Sequence, residues 1–129
     1  MSRREGPVSP GDDNSFQSEV RAVVGELRRT IRAALGESET DPARAPAELS
    51  RDLGLDTKLG WKLHWLLSNT DPFSAALFVP GRGGIRIIAA GLARAGADEA
   101  VVRAVEAAGE AFHRCVTRHA ENRASFDTL

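Results

Sequence analysis

Two imidazoles and a thiol fall close together near the end of the chain: His113, Cys115 and His119. Cys115 and His119 stand one helical turn apart, so both could reach one metal ion. His113 points elsewhere on a helix and no further ligand follows nearby. A packed cysteine and a boundary histidine are therefore the expectation, with no metal site. Catalytic patterns fare no better, since the chain has no nucleophile motif, no spaced His/Glu zinc signature and no tyrosine. Acid pairs such as Asp12/Asp13 and Asp98/Glu99 sit where tails and helix starts place acids anyway. Pro80-Gly81-Arg82-Gly83-Gly84 lacks the lysine and hydroxyl that complete a phosphate-binding loop, which leaves a plain turn. No catalytic residue, cofactor or enzymatic activity is expected.

What remains is residues 46–68, which carry both tryptophans, Trp61 and Trp65, and both lysines, Lys58 and Lys62. This stretch reads as two short helices and a tight turn. Pro46 suits a first helical turn, Gly54 can take the left-handed conformation that stops the first helix, and Leu55 plugs the corner. Asp56 can cap the second helix by accepting from its free N–H groups. Ser50 and Gly60 are small enough to let the two helices cross closely. Leu49, Leu53, Leu55, Leu59 and Leu63 supply the apolar positions.

This register, Ser50, Gly54, Leu55, Leu59 and Leu63, resembles the helix-turn-helix of bacterial transcriptional regulators. The resemblance implies an all-α, multi-helix domain built around a helix-turn-helix, double-stranded DNA as partner and a homodimer supplying the second half-site. Turning the second helix by about 100° per residue puts Leu59, Leu63, Leu66 and Leu67 inward. Thr57, Lys58, Trp61 and Trp65 point outward, with Lys62, His64 and Ser68 at the margins. In such a regulator Thr57, Lys58, Trp61 and Lys62 would occupy the DNA-reading positions. A lysine donates to guanine or phosphate, and a threonine methyl packs on thymine. Two tryptophans on one face are also the mark of a buried protein contact, so Trp61 and Trp65 equally define an interaction or dimerisation face. A third use, packing beneath helices from the C-terminal half, would close the face to any groove.

The elements that must hold this stretch follow from periodicity. Phe16, Val20, Val23, Val24, Leu27, Ile31 and Leu35 make one stripe on a helix over 14–35, capped by Asn14 or Ser15 and ended by Gly36. Arg21, Arg28, Arg29 and Arg32 lie largely off that stripe, on an expected solvated face. Residues 73–78 suggest a short helix or turn. Residues 76–88 allow either a hairpin, the wing of a winged helix, or a glycine loop before a helix over 85–95. Ile85, Ile88 and Leu92 favour the helix. A last helix opens near Asp98 with Val101, Val102, Val105, Ala108, Phe112, Cys115, Val116 and His119 as its stripe. Residues 1–13 read as a disordered arm, 14–121 as the helical domain, and 122–129 as a tail or the start of a further element, as in a regulator with a downstream effector domain.

Composition sets the outer limits. The chain has 129 residues, enough for one domain, and an apolar fraction of 42% can bury a core. No apolar run is long enough to span a membrane and no apolar signal region opens the chain, so a cytoplasmic protein is expected. One cysteine excludes an internal disulfide. A net charge of −1 weighs against general nucleic-acid affinity, so any basic surface must be local.

Overall fold

A computed structural model describes the backbone over residues 9–38 and 40–128 and the side chains over 15–38 and 40–120. Among these residues the chain is all-helical: α1 (Ser9–Leu35), α2 (Pro46–Leu53), α3 (Thr57–Ser68), α4 (Pro72–Ala76), α5 (Arg82–Arg94) and α6 (Glu99–Thr128). The two long helices α1 and α6 pack together, α5 lies on α6, and α2 and α3 form a tight pair. α4 bridges α1 and α3, and α2 touches α5, so the small pair is held from both sides.

The stripes explain these pairings. Val20, Val24, Leu27 and Ile31 of α1 are buried in one continuous core with Val105, Ala108, Phe112 and Cys115 of α6. Farther along the same helix pair, Phe16 stacks on His119 with ring centroids 3.6 Å apart, and Arg118 donates to Glu19. Val116, expected in the stripe, is instead exposed, because α6 turns that position away from α1.

The residues expected to close α2 and open α3 do so. Gly54 adopts φ 68°, ψ 39°, and its N–H donates to the Ser50 carbonyl. Leu55 is buried in the corner. The Asp56 carboxylate accepts from the Leu59 N–H at 2.7 Å. Where the helices cross, a Cβ on Gly60 would lie 2.0 Å from Ser50 Oγ and 2.9 Å from the Pro46 carbonyl oxygen. Only hydrogen fits there.

Several boundaries differ from the expectation. No strand forms among the described residues, which overturns the hairpin of 76–88 and with it the winged alternative. Ile85, Ile88 and Leu92 bury together on one face of α5, as helical spacing requires and strand alternation would not allow. α5 starts at Arg82 because Gly81 is extended and its carbonyl accepts from the Ile85 N–H at 2.9 Å. The expected arm falls partly on residues 1–8, which lie outside the described residues. From Ser9 onward the backbone is already helical, with Pro10 in the first turn where its missing N–H costs nothing. The backbone of α6 continues through residues 122–128, the stretch read as a tail or the start of a further element.

Arg28 and Arg32 correct the expectation of a solvated face. Both reach across from α1 to the C-terminal end of α3. Arg28 Nε donates to the Leu66 carbonyl and Nη2 to that of Leu67, each at 3.1 Å. Arg32, only 4% exposed, donates from Nη2 to Leu67 at 3.2 Å and from Nη1 to Glu37 Oε1 at 3.1 Å. These carbonyls have no partner within α3 and carry the negative end of its dipole, so a cation is favoured there.

Candidate functional site

The outer face of α3 is built by its own register and left open by its neighbours. Leu63, Leu66 and Leu67 are fully buried and Leu59 partly so, which turns Thr57, Lys58, Trp61 and Trp65 to the surface. Lys62 and His64 sit at the margins, half-buried. Trp61 is 47% exposed and Trp65 39%, so the C-terminal helices do not cover this face. The expectation that helices of the C-terminal half might close it is set aside by the packing of α6 along α1 and α5.

Three rings form one surface cluster. Trp61 and Trp65 meet edge to face with centroids 6.0 Å apart. Phe78, from the segment between α4 and α5, approaches Trp61 to 5.6 Å and Trp65 to 6.2 Å. His64 adds an edge contact to Trp65 at 5.2 Å. Its Nδ1–H donates to the Arg44 carbonyl at 2.8 Å, which ties the connector before α2 to the side of α3. Such edge-to-face pairs hold rings in place beyond simple burial. Neither indole N–H has a hydrogen-bond partner among the described residues. Phe78 was not legible as part of this face, because it arrives by long-range packing and no spacing within 46–68 announces it.

The charges around the rings are one-sided. α3 contains no acidic residue. Among the described cationic side chains, only Lys58, Lys62 and Arg86 have no hydrogen bond, ion pair or ring contact. The arginines are otherwise engaged. Arg44 donates to Glu37, Asp52 and the Leu35 carbonyl. Arg94 donates to the Leu53 carbonyl at the end of α2. Arg82 clasps Glu110 with two bonds, and Arg103 holds Glu99. Arg21 lies over the Phe73 ring. The two lysines on α3 thus stand, with Arg86, as the cations without a partner among the described residues.

The residues that could serve metal or thiol chemistry each have other surroundings. Cys115 is buried, and desolvation pushes its thiol up from the ordinary value, away from a reactive thiolate. His119 is stacked on Phe16, and His113 donates from Nε2 to the Pro80 carbonyl at 3.0 Å. Among the described residues no group of three or more His, Cys, Asp or Glu side chains clusters as a metal site. A groove of about 140 Å³ lies between α5 and α6 beside His113. Its walls mix Arg82 and Arg86 with Glu106 and Glu110, and the Arg82 clasp holds the Glu110 carboxyl below its ordinary value.

Fold and surface together define an all-helical protein whose most distinctive feature is an open, aromatic and cationic helix face. No helix among the described residues is long and apolar enough to cross a membrane. Compared with protein-family models, curated proteins and solved structures, the chain matches none.

Proposed function

We propose that the chain is a DNA-binding regulator of bacterial helix-turn-helix type, acting in the cytoplasm, with α2 and α3 as the motif and α3 as the DNA-contacting helix. The observation that carries this is the pair of unpaired lysines, Lys58 and Lys62, on the uncovered face of the second helix of a glycine-turned pair. Lys58 and Lys62 bind phosphate or a guanine edge, and Thr57 and Trp61 contact methyl groups or groove shape. A homodimer supplies the second half-site. Because the net charge is −1, the affinity comes from a local patch and falls steeply with salt.

The absence of tyrosine makes the test direct, since the useful emission comes from Trp61 and Trp65. Titration with duplex DNA at low and moderate salt should quench that emission to saturation, and the quenching should retreat as salt rises. Emission unmoved by any DNA would remove DNA binding by α3.

A second reading has its own support. The cluster of exposed Trp61 and Trp65 with half-buried Phe78 is the kind of aromatic surface that anchors protein contacts. In that case the domain is a helical interaction or dimerisation module. A mass in solution above that of the monomer, collapsing on Trp61→Ala, would rank this reading first.

A further inference from the structure

Two indoles are an awkward instrument for reading a fully paired duplex. An α-helix with its side chains is about 10–12 Å across, and the major groove is about 12 Å wide. Trp61 and Trp65 both project from the outward side of α3 and add bulk to the side that would face a groove. An indole also has a single donor and no acceptor, so it cannot make the two-bond contacts that distinguish base edges. What it does present is a flat π-face, and bases offer theirs only where they are unpaired or unstacked.

We infer that α3 holds nucleic acid partly by stacking: Trp61, backed by Trp65 and Phe78, packs on an unpaired base while Lys58 and Lys62 hold the flanking phosphates. The preferred ligand is then DNA with a short unpaired segment rather than a fully paired duplex. This rests on the DNA-binding reading above and narrows its ligand.

Three features of the face support stacking. The rings are fixed before binding by their mutual edge contacts and by Phe78, so little side-chain freedom remains to be lost. The indoles keep 47% and 39% of their surface open, leaving room for a base against them. Lys58 and Lys62 lie within one turn of Trp61 and have no partner among the described residues, and no carboxylate on α3 opposes a phosphate there. Aromatic rings interleaved with unpaired cations are the composition of a single-strand binding surface.

The experiment uses the full chain and three fluorescent probes of one sequence: a paired duplex, the same duplex with a central mismatched bubble, and the single strand. Binding is followed by anisotropy at low salt. The bubble and the single strand should bind more tightly than the duplex, by roughly 5- to 160-fold for one stacked base. Trp61→Ala should lose about that factor on the bubble and little on the duplex, with unchanged helical circular dichroism. Trp61→Phe, which keeps a ring, should retain most of the preference. Equal or tighter binding to the paired duplex overturns stacking and leaves the DNA-binding reading standing. Trp61→Phe and Trp61→Ala losing the preference equally also overturns it. A folded chain that binds none of the probes removes both.

Discussion

Replacing Lys58 and Lys62 together by alanine separates a DNA-contacting face from a merely exposed one. Neither lysine makes a hydrogen bond or ion pair with the described residues, and alanine is the best helix former, so the double variant should keep its stability within about 0.5 kcal/mol. Its effect on binding can be worked out beforehand. Each phosphate neutralised on duplex DNA contributes about −0.9 to the slope of log affinity against log salt. Losing two contacts should flatten the slope by about 1.8, which at roughly 0.1 M salt is about a 60-fold loss if all of it is counterion release. Between about 50 and 200 mM salt, wild-type affinity should fall about 12-fold more than that of the variant for one protomer, and about 150-fold more for a dimer using both half-sites. The assay is anisotropy of a labelled duplex across a salt series, with thermal unfolding as the folding control. Lys58→Arg with Lys62→Arg should restore the slope, because charge rather than chain length sets it. A folded double-alanine variant with unchanged slope and affinity would refute the placement of the contact on α3.

The remaining expectations concern how the face is held. Gly60→Ala puts a methyl into Ser50 Oγ and the Pro46 carbonyl, and should destabilise by about 1–3 kcal/mol in urea unfolding, with loss of DNA binding at temperatures where the pair loosens. Arg32→Ala removes one of two donors from the Leu67 carbonyl and one of two arginines from Glu37, with Arg28 and Arg44 remaining, and should cost about 1–3 kcal/mol by the same measurement. At Glu110, hydrogen bonding from Arg82 comes first among the causes that hold the carboxyl below its ordinary value. The stabilisation is present above the ordinary carboxylate range and is lost as pH falls through the depressed value. An NMR titration should show Glu110 protonating later on acidification than a free glutamate, and Arg82→Met should shrink the difference to what Arg114 alone maintains.

Much of the architecture could be read from spacing because it is local. Val20, Val24, Leu27 and Ile31 recur at helical intervals and are buried where that period puts them. Gly54, Asp56 and Gly60 act through their own backbone or one neighbouring helix, so the turn and the crossing follow from residue type alone. Arg28 and Arg32 were not legible in their roles. Their position beside the stripe of α1 puts them at its border, but what they bond to depends on which helix end lies opposite, and no periodicity encodes that. Phe78 joins the face of α3 for the same kind of reason. The 76–88 segment was ambiguous because glycine and β-branched residues occur in both hairpins and helix starts. Packing of Ile85 and Ile88 into the common core decides it.

The near-neutral net charge, which spoke against nucleic acid at the level of composition, loses its force once the cations are placed. Arginines outnumber lysines, yet the arginines of α1, the connector and α5 mostly serve the fold. Arg28 and Arg32 cap α3, Arg94 caps α2, and Arg44 links the connector to the end of α1 and to Asp52. These charges are answered by carbonyls and carboxylates and project little field outward. Lys58 and Lys62 are answered by nothing among the described residues, and they stand on a helix without acids. The field that a phosphate meets is therefore set by those two residues rather than by the total. The same division links the face to the scaffold, because the arginines that α1 spends on the end of α3 orient the helix that carries the lysines. Loosening Arg32 should accordingly weaken binding without touching a ligand contact, and Lys58 should weaken it without touching the fold.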